Sequence, residues 1–304
     1  MDSATVLSRR ELALVRLGRY LVDHGYHFTS VTPATHRRVL DHGEPPELTL
    51  RDVFGWSRPF DAALDREVVR LLDEAGCLVP VGARLRSLVR YSSLGGRIFV
   101  HSAYPTTDAD AVFFGPDSHR FVALLEREIA RASTVIDVGA GSGVGGLSLA
   151  DRVDRIVLTD VNPTALSFAR VNAEFAGVSD RVTLVDADVL RGVHDRADVI
   201  ISNPPFMADP EKRSYRDGGH LGIDLTLRIA HEALAHLDGR GQLVVYSGAP
   251  VIAGEDQLRK ALLPILPAGA TYEELDPDIF GEELTQPAYR HVERIAAVAV
   301  CFAA

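Results

Sequence analysis

Cysteine is nearly absent from this 304-residue chain: Cys77 and Cys301 stand far apart, without C-x-x-C spacing. That argues against a disulfide-stapled scaffold and a paired redox motif, and leaves two reduced thiols in a cytoplasmic protein as the reading. The eleven histidines form no H-x-x-x-H pattern and no Cys/His cluster, so no metal site is expected. No run of eighteen apolar residues exists, so no transmembrane helix is expected. The opening stretch, MDSATVLSRRELALVRLGRYL, breaks its apolar residues with charge at helical spacing and lacks the apolar centre of a secretory signal. Lysine is missing from residues 1–90, where 13 arginines face 12 acidic residues for about +1. The whole chain carries −10, which with that +1 leaves about −11 for the remainder. An acidic larger half argues against a grip on nucleic acid through many phosphates. It favours a protein, peptide or small-molecule partner.

What is present suits a sizeable core: 46% hydrophobic and 24% charged residues, in a length that accommodates two domains. Residues 5–24 read as an amphipathic helix with Leu7, Leu12, Leu14, Val15, Leu17 and Leu21 along one stripe. Residues 41–49, DHGEPPELT, are a loop. The stretch ALDREVVRLLDEAGCLVPVGARLRSLVRYS reads as helix, stop at Gly76, strand, turn at Gly82 and second strand. Helices followed by a small hairpin outline a winged-helix domain, expected over residues 1–92. With almost no net charge it is expected to pack on the catalytic half, contact substrate or dimerise. Residues 92–121 bridge the halves, with a helix start at Pro116, Asp117 and Ser118. From Thr134 the pattern changes. The apolar runs TVIDVG, RIVLTD, VTLVDADV, ADVIISN and GQLVVYSG alternate with helical stretches, and ERIAAVAVCFA closes the chain. Runs apolar on both faces are strands of a covered parallel sheet, so residues 93–304 are expected to form a doubly wound α/β domain.

The first run ends in VIDVGAGSGVGG. Gly141, Gly143 and Gly146 satisfy the dinucleotide fingerprint G-x-G-x-x-G. Shifted by two, Asp137, Gly139, Gly141 and Gly143 satisfy D-x-G-x-G-x-G, which resembles the cofactor loop of class I S-adenosylmethionine (SAM) methyltransferases. Taken alone, the loop also suits an ordinary strand-to-helix turn. Asp160, ending the second run, can accept two ribose hydroxyls of either cofactor. Asp188, or Asp186 on the same strand face, ends the third run where class I methyltransferases often hold the adenine amino group. Asp137 sits at the edge of the site. Negative charge there disfavours a pyrophosphate and suits a sulfonium and an ammonium.

Residues 203–206, NPPF, end the fourth run, so they face the same crevice as the glycines. Their types suit methyl transfer to a planar nitrogen, whose delocalised lone pair makes it a poor nucleophile. The Asn203 side-chain oxygen accepts one N–H and the Pro204 carbonyl the other. Pro204 and Pro205 fix the backbone, so the acceptors need not reorganise. Phe206 offers a face for a flat substrate.

DVGAGSG together with NPPF resembles the amino-methyltransferase branch of class I SAM methyltransferases. That branch includes the HemK-type enzymes that methylate a glutamine side-chain nitrogen in peptide release factors, and N6-adenine and N2-guanine methyltransferases. The likeness covers roughly residues 112–303 and continues through NPPFMADPEKRSYRDGGHLGIDLTLRIAHEAL. Phe206 stands where HemK-type and adenine enzymes usually carry tyrosine. The resemblance implies a seven-stranded Rossmann-like sheet whose seventh strand is antiparallel. It implies SAM as cofactor, S-adenosylhomocysteine as product, and contacts to SAM or substrate from Gly139, Gly141, Asp160, Asp188 and Asn203. The function it implies is N-methylation of an amide or amino nitrogen of a protein, peptide or small molecule; the alternative is an rRNA, tRNA or DNA base.

Around these motifs, Phe114, with Phe113 and Asp117, precedes the first helix where such enzymes cover the cofactor. Tyr215 is placed at the substrate, and Arg216 beside it reads as either substrate contact or surface loop. The acidic run YEELDPDIFGEEL at 272–284 is expected to emerge on the cofactor side, where it selects a cationic substrate or stays solvated. Nothing in the sequence fixes the oligomeric state, a homodimer being one option.

Overall fold

The computed structural model describes residues 7–303. Its first helix, α1 (Arg9–Asp23), starts where Ser8 closes a capping box: the Ser8 hydroxyl accepts the Glu11 amide at 3.2 Å and the Glu11 carboxylate accepts the Ser8 amide at 2.8 Å. The helix expected over 5–24 is thus set by this cap, and residues 5 and 6 lie outside the described residues. α2 (Pro33–Asp41) has proline at its first position behind the Thr32 cap, and α3 (Leu50–Phe54) is a short turn capped by Thr49. α4 (Arg66–Glu74) is capped by Asp65. β1 (Leu78–Val81) and β2 (Arg84–Ser87) form a hairpin across Gly82. The expected second strand then breaks. The Ser87 hydroxyl donates to the Val89 carbonyl at 2.7 Å and accepts the Val89 amide at 3.1 Å, which turns the chain. A separate hairpin follows within the stretch expected only to bridge: β3 (Val89–Leu94) and β4 (Arg97–Ser102).

The rest alternates strand and helix: α5 (Pro116–Glu128), β5 (Ala132–Val138), α6 (Val144–Ser148), β6 (Val153–Asp160), α7 (Pro163–Ala176), β7 (Val182–Asp186), β8 (Ala197–Ser202), α8 (Asp224–His236), β9 (Leu237–Ile252), β10 (Glu255–Asp256), α9 (Gln257–Leu262), β11 (Thr271–Asp276) and β12 (Arg294–Ala303). The sheet runs β11-β12-β9-β8-β5-β6-β7, with β10 folded back on the end of β9. β5 to β9 pair in parallel, while β12 is antiparallel to both β9 and β11. This is the doubly wound order, with its seventh long strand reversed.

Alternation along the strands makes the two core layers. Val135 and Ile201 point to the face covered by Phe121 and Leu125 of α5, Leu147 of α6 and Ala169 of α7. Ile136 and Ile200 point to the face covered by Ile229 and Ala233 of α8 and Leu258 of α9. The front elements pack on the outside of α7, sharing one apolar cluster with Ala165, Phe168 and Val171. Polar ties cross the same contact: Arg170 bonds Glu11 at 2.7 Å and Arg19 bonds Glu174 at 3.0 Å. Asn172 on α7 goes further. Its Oδ1 accepts the Val100 amide at 2.8 Å, and its Nδ2 donates to the Ser142 carbonyl at 2.8 Å. One buried side chain thereby joins the second hairpin to the glycine loop.

Candidate active site

The ends of β5, β6, β7 and β8 open on one cavity of about 230 Å³. At the end of β5 the chain turns through Gly139 and Gly141, with φ of +67° and +56°, a region that side chains with a Cβ avoid. The loop is fixed to its neighbour: the Gly141 amide donates to Asp160 Oδ2 at 2.9 Å, and Asp160 Oδ1 accepts the Asn162 amide at 2.9 Å. Burial pushes the Asp160 carboxyl upward, opposed by these N–H groups. Gly146 packs on Leu158 and Ile156, with room for no side chain.

Asp137 is sealed behind this loop at 2% exposure, and its Oδ2 accepts the Gly146 amide at 2.8 Å. Its other oxygen has no protein partner among the described residues, and the side chain lines the cavity. Burial holds its carboxyl up at about 7, against the Gly146 bond and with Asp160 adding repulsion. Asp188 sits at the exposed rim, bonded to Arg228 at 2.7 Å, and that bond lowers its carboxyl. Asp186 does not line the cavity. Asp117, at the start of α5, does; it is buried and accepts the Tyr246 hydroxyl at 2.6 Å.

NPPF follows β8 directly. The Asn203 side chain lines the cavity and makes no hydrogen bond to protein among the described residues; the Pro204 carbonyl accepts none either. Phe206 lines the cavity, buried, and packs edge-on against Tyr246 and Phe280, at 6.1 and 5.9 Å between ring centres. Its place depends on close backbone approach. Gly248 lies against the Phe206 ring, Gly222 against the Phe206 carbonyl and Gly218 against the Pro205 carbonyl, each where a Cβ would overlap. The Tyr289 hydroxyl accepts the Ala208 amide at 2.7 Å and holds the exit. The chain after the motif then folds back as a strap: Met207 N donates to Arg216 O at 3.0 Å and Gly218 N to Met207 O at 2.7 Å. The strap hooks onto the segment before α5, where the Tyr215 hydroxyl donates to Thr106 O at 2.6 Å and Ser214 to Ala109 O at 3.2 Å.

Asp137, Gly139, Gly141, Asp160, Asp188, Asn203, Pro204, Pro205, Phe206 and Tyr215 thus meet around one cavity. Phe114 does not. It is 2% exposed and packs on Phe99 and His101, at 5.8 and 5.1 Å, while Phe113 lines the cavity with its ring folded over Gly115. The absence of a Cβ at Gly115 is what makes room for the Phe113 ring. The acidic run is also not what it looks like. Arg127 takes Glu273, Arg294 takes Glu274, Arg120 takes Asp276 and Arg216 takes Glu283, so arginines neutralise four of its carboxylates; Phe280 is its one cavity-lining residue. Phe280, Asn162 and the glycines under the motif are contributions that the sequence reading missed. DGGHLG, close behind NPPF, was the available signal for Gly218 and Gly222.

Charge is divided across the cavity. Four acidic side chains line it, from Asp117, Asp137, Asp160 and Asp188, against a single cationic one among the described residues, Arg216. Such a lining disfavours a pyrophosphate and accommodates a positively charged ligand. No helix among the described residues is long and apolar enough to cross a membrane.

The family description "methyltransferase small domain" matches residues 116–260. Over 196 residues the chain is 32% identical to the release factor glutamine methyltransferase of Deinococcus radiodurans, covering 59% of this chain and 66% of that one. It is 33% identical over 137 residues to the protein of that description from Rhodopirellula baltica, covering 40% and 46%. For the one from Cereibacter sphaeroides the figures are 30% over 238 residues, 73% of this chain and 75% of that one. The chain therefore spans about two thirds of the first of these relatives and less than half of the second.

Proposed function

The chain belongs to the HemK-type family of SAM-dependent methyltransferases, that of the release factor glutamine methyltransferases it matches, and from this premise we propose that it methylates the side-chain amide nitrogen of a protein or peptide. The observation that carries the reading is Asn203: a side-chain amide at the mouth of β8, lining the cavity, with no partner of its own among the described residues. With no protein hydrogen bond among the described residues, this amide and the Pro204 carbonyl beside it are available to a ligand.

The residues present fit the cofactor. A carboxyl held near 7 with one oxygen on the cavity suits a cationic group, so Asp137 is assigned to the sulfonium and ammonium end. Asp160, oriented by two backbone N–H groups, is assigned to the ribose, Asp188 to the adenine amine, and Gly139 and Gly141 to close backbone contact. Phe113 replaces Phe114 as the covering aromatic. When bound, SAM supplies an activated methyl on sulfur and leaves as S-adenosylhomocysteine. The chain's own residues do the positioning. Asn203 Oδ1 and the Pro204 carbonyl accept the two N–H groups of the acceptor amide, so its nitrogen presents one face of its plane. The same two oxygens face the positive charge that grows on nitrogen as it becomes alkylated, and the proton that the nitrogen then loses passes from its hydrogen bond with one of them to solvent. Pro204 and Pro205 keep those oxygens still. Phe206, Phe280 and Tyr215 wall the flat group.

The test is transfer of a labelled methyl from SAM to a glutamine-containing peptide, read by mass spectrometry. Asn203→Ala should keep cofactor affinity and lose turnover by about 10²–10³-fold, the scale of one preorganised polar contact. Unchanged turnover in that variant would refute the role given to Asn203. Methylation of an RNA oligonucleotide instead of the peptide would move the acceptor to a nucleobase.

A further inference from the structure

Resting on that reading of the site, we propose that Arg216 is a specificity residue: it donates to the carbonyl oxygen of the acceptor and so selects a carboxamide over a cationic amine. A carboxamide carries two donors and one acceptor. Asn203 and Pro204 answer the donors, and the oxygen still needs an N–H.

Among the described residues, Arg216 is the only arginine, lysine or histidine lining the cavity. Its position is fixed from both ends. Its carbonyl holds the Met207 amide at 3.0 Å, one residue past Phe206, so the side chain departs beside the acceptor wall. Its guanidinium is ion-paired to Glu283, and its Nε lies sealed from water, 3.6 Å from Asp209, beyond hydrogen-bond reach. Asp209 is already taken by Arg213 through two bonds of 2.5 and 2.8 Å. A guanidinium has five N–H donors, and one carboxylate satisfies at most two of them. With 21% of its side chain exposed, Arg216 keeps donors to spare at its outer end while its neighbours hold it in place.

The distribution of charge points the same way. All four cavity carboxylates lie on other segments: Asp117, Asp137, Asp160 and Asp188. None lies on NPPF or the strap. A lysine side chain entering there finds no carboxylate lining that wall, and the one charged group it meets is a donor like itself. A carboxamide finds two acceptors and a charge-assisted donor. The Arg216–Glu283 pair also explains the acidic run: Glu283 clamps the selecting arginine and is not itself offered to a cationic substrate.

The experiment uses the full chain with S-adenosylhomocysteine, and three fluorescent peptides differing only in one central residue: Gln, Lys or Glu. Binding is read by anisotropy and methylation by mass spectrometry. Wild type should bind the Gln peptide at least about tenfold tighter than the Lys peptide, the scale of one charge-assisted hydrogen bond. Arg216→Met should abolish that ratio while SAM affinity, measured separately, stays within about twofold; Arg216→Lys should restore part of it. Glu283→Gln, which loosens the clamp but leaves the donors, should keep the ranking. A wild-type Gln peptide that binds no better than the Lys peptide overturns the proposal, as does an unchanged ratio in Arg216→Met. If Arg216→Met fails to fold, the wild-type ratio and Arg216→Lys decide. Loss of SAM binding by the wild type would instead remove the reading of the site itself.

Discussion

Asp137→Asn is the most informative substitution, because the burial of this carboxyl sets its sign and its scale. The wild-type carboxyl is sealed by the glycine loop, and burial raises it from 3.8 to about 7, with the Gly146 N–H opposing and Asp160 reinforcing. The folded chain therefore keeps this proton to a higher pH than the unfolded chain does. Between those two values the native state binds more protons, so stability falls as pH rises, and the loss is complete above about 7. Integrated from pH 5 to pH 8 for one such group, the loss is on the order of 2–3 kcal/mol. An amide of the same shape still accepts the Gly146 N–H and does not titrate. Urea unfolding of both proteins without cofactor, at pH 5 and pH 8, should show the variant gaining on the order of 2–3 kcal/mol on the wild type across that interval. An equal difference at both pH values would refute the sealed, protonated carboxyl. The same group bears on function. A cationic ligand favours its ionised form, so cofactor affinity relative to the variant should weaken about tenfold from pH 8 to pH 6; the cofactor's own titration cancels in the ratio.

Other outcomes follow from single contacts. Phe114→Ala should cost about 3–5 kcal/mol in urea unfolding and spare cofactor affinity, since Phe114 packs on Phe99 and His101. Phe113→Ala should do the reverse, leaving stability within about 1 kcal/mol and weakening SAM about 3–10-fold by titration; swapped results would restore Phe114 to the site. Gly222→Ala places a Cβ against the Phe206 carbonyl at a φ of +79°, and should cost about 2–4 kcal/mol together with most of the turnover. A stable, fully active Gly222→Ala protein would show that the motif does not need its glycine bed.

Much of this molecule was legible in order along the chain. Strands apolar on both faces, each followed by a helical stretch, foretell a covered parallel sheet, and β5 to β9 follow that pattern. Asp160 and Asn203 were readable because each ends such a run, and strand ends in this topology converge on one crevice. What stayed hidden depends on contacts between distant residues or on facing in irregular chain. No periodicity separates Phe113 from Phe114 in the loop before α5. Ser87 turns the chain through its own side chain, so one apparent strand became parts of two hairpins. The acidic run looked like an unpaired field because Arg120 and Arg127 lie some 150 positions earlier in the chain. Arg216 looked like loop surface because nothing local shows that Met207 folds back onto it.

Isothermal titration of the full chain with SAM, and separately with NAD, tests the central claim most directly, for a lining with four acidic side chains and, among the described residues, one cationic one cannot serve both ligands alike. The account requires one SAM site per chain, lost on Asp160→Ala and retained on Asn203→Ala, with no measurable NAD binding. Heat from NAD in place of SAM, or SAM binding indifferent to Asp160, would contradict it.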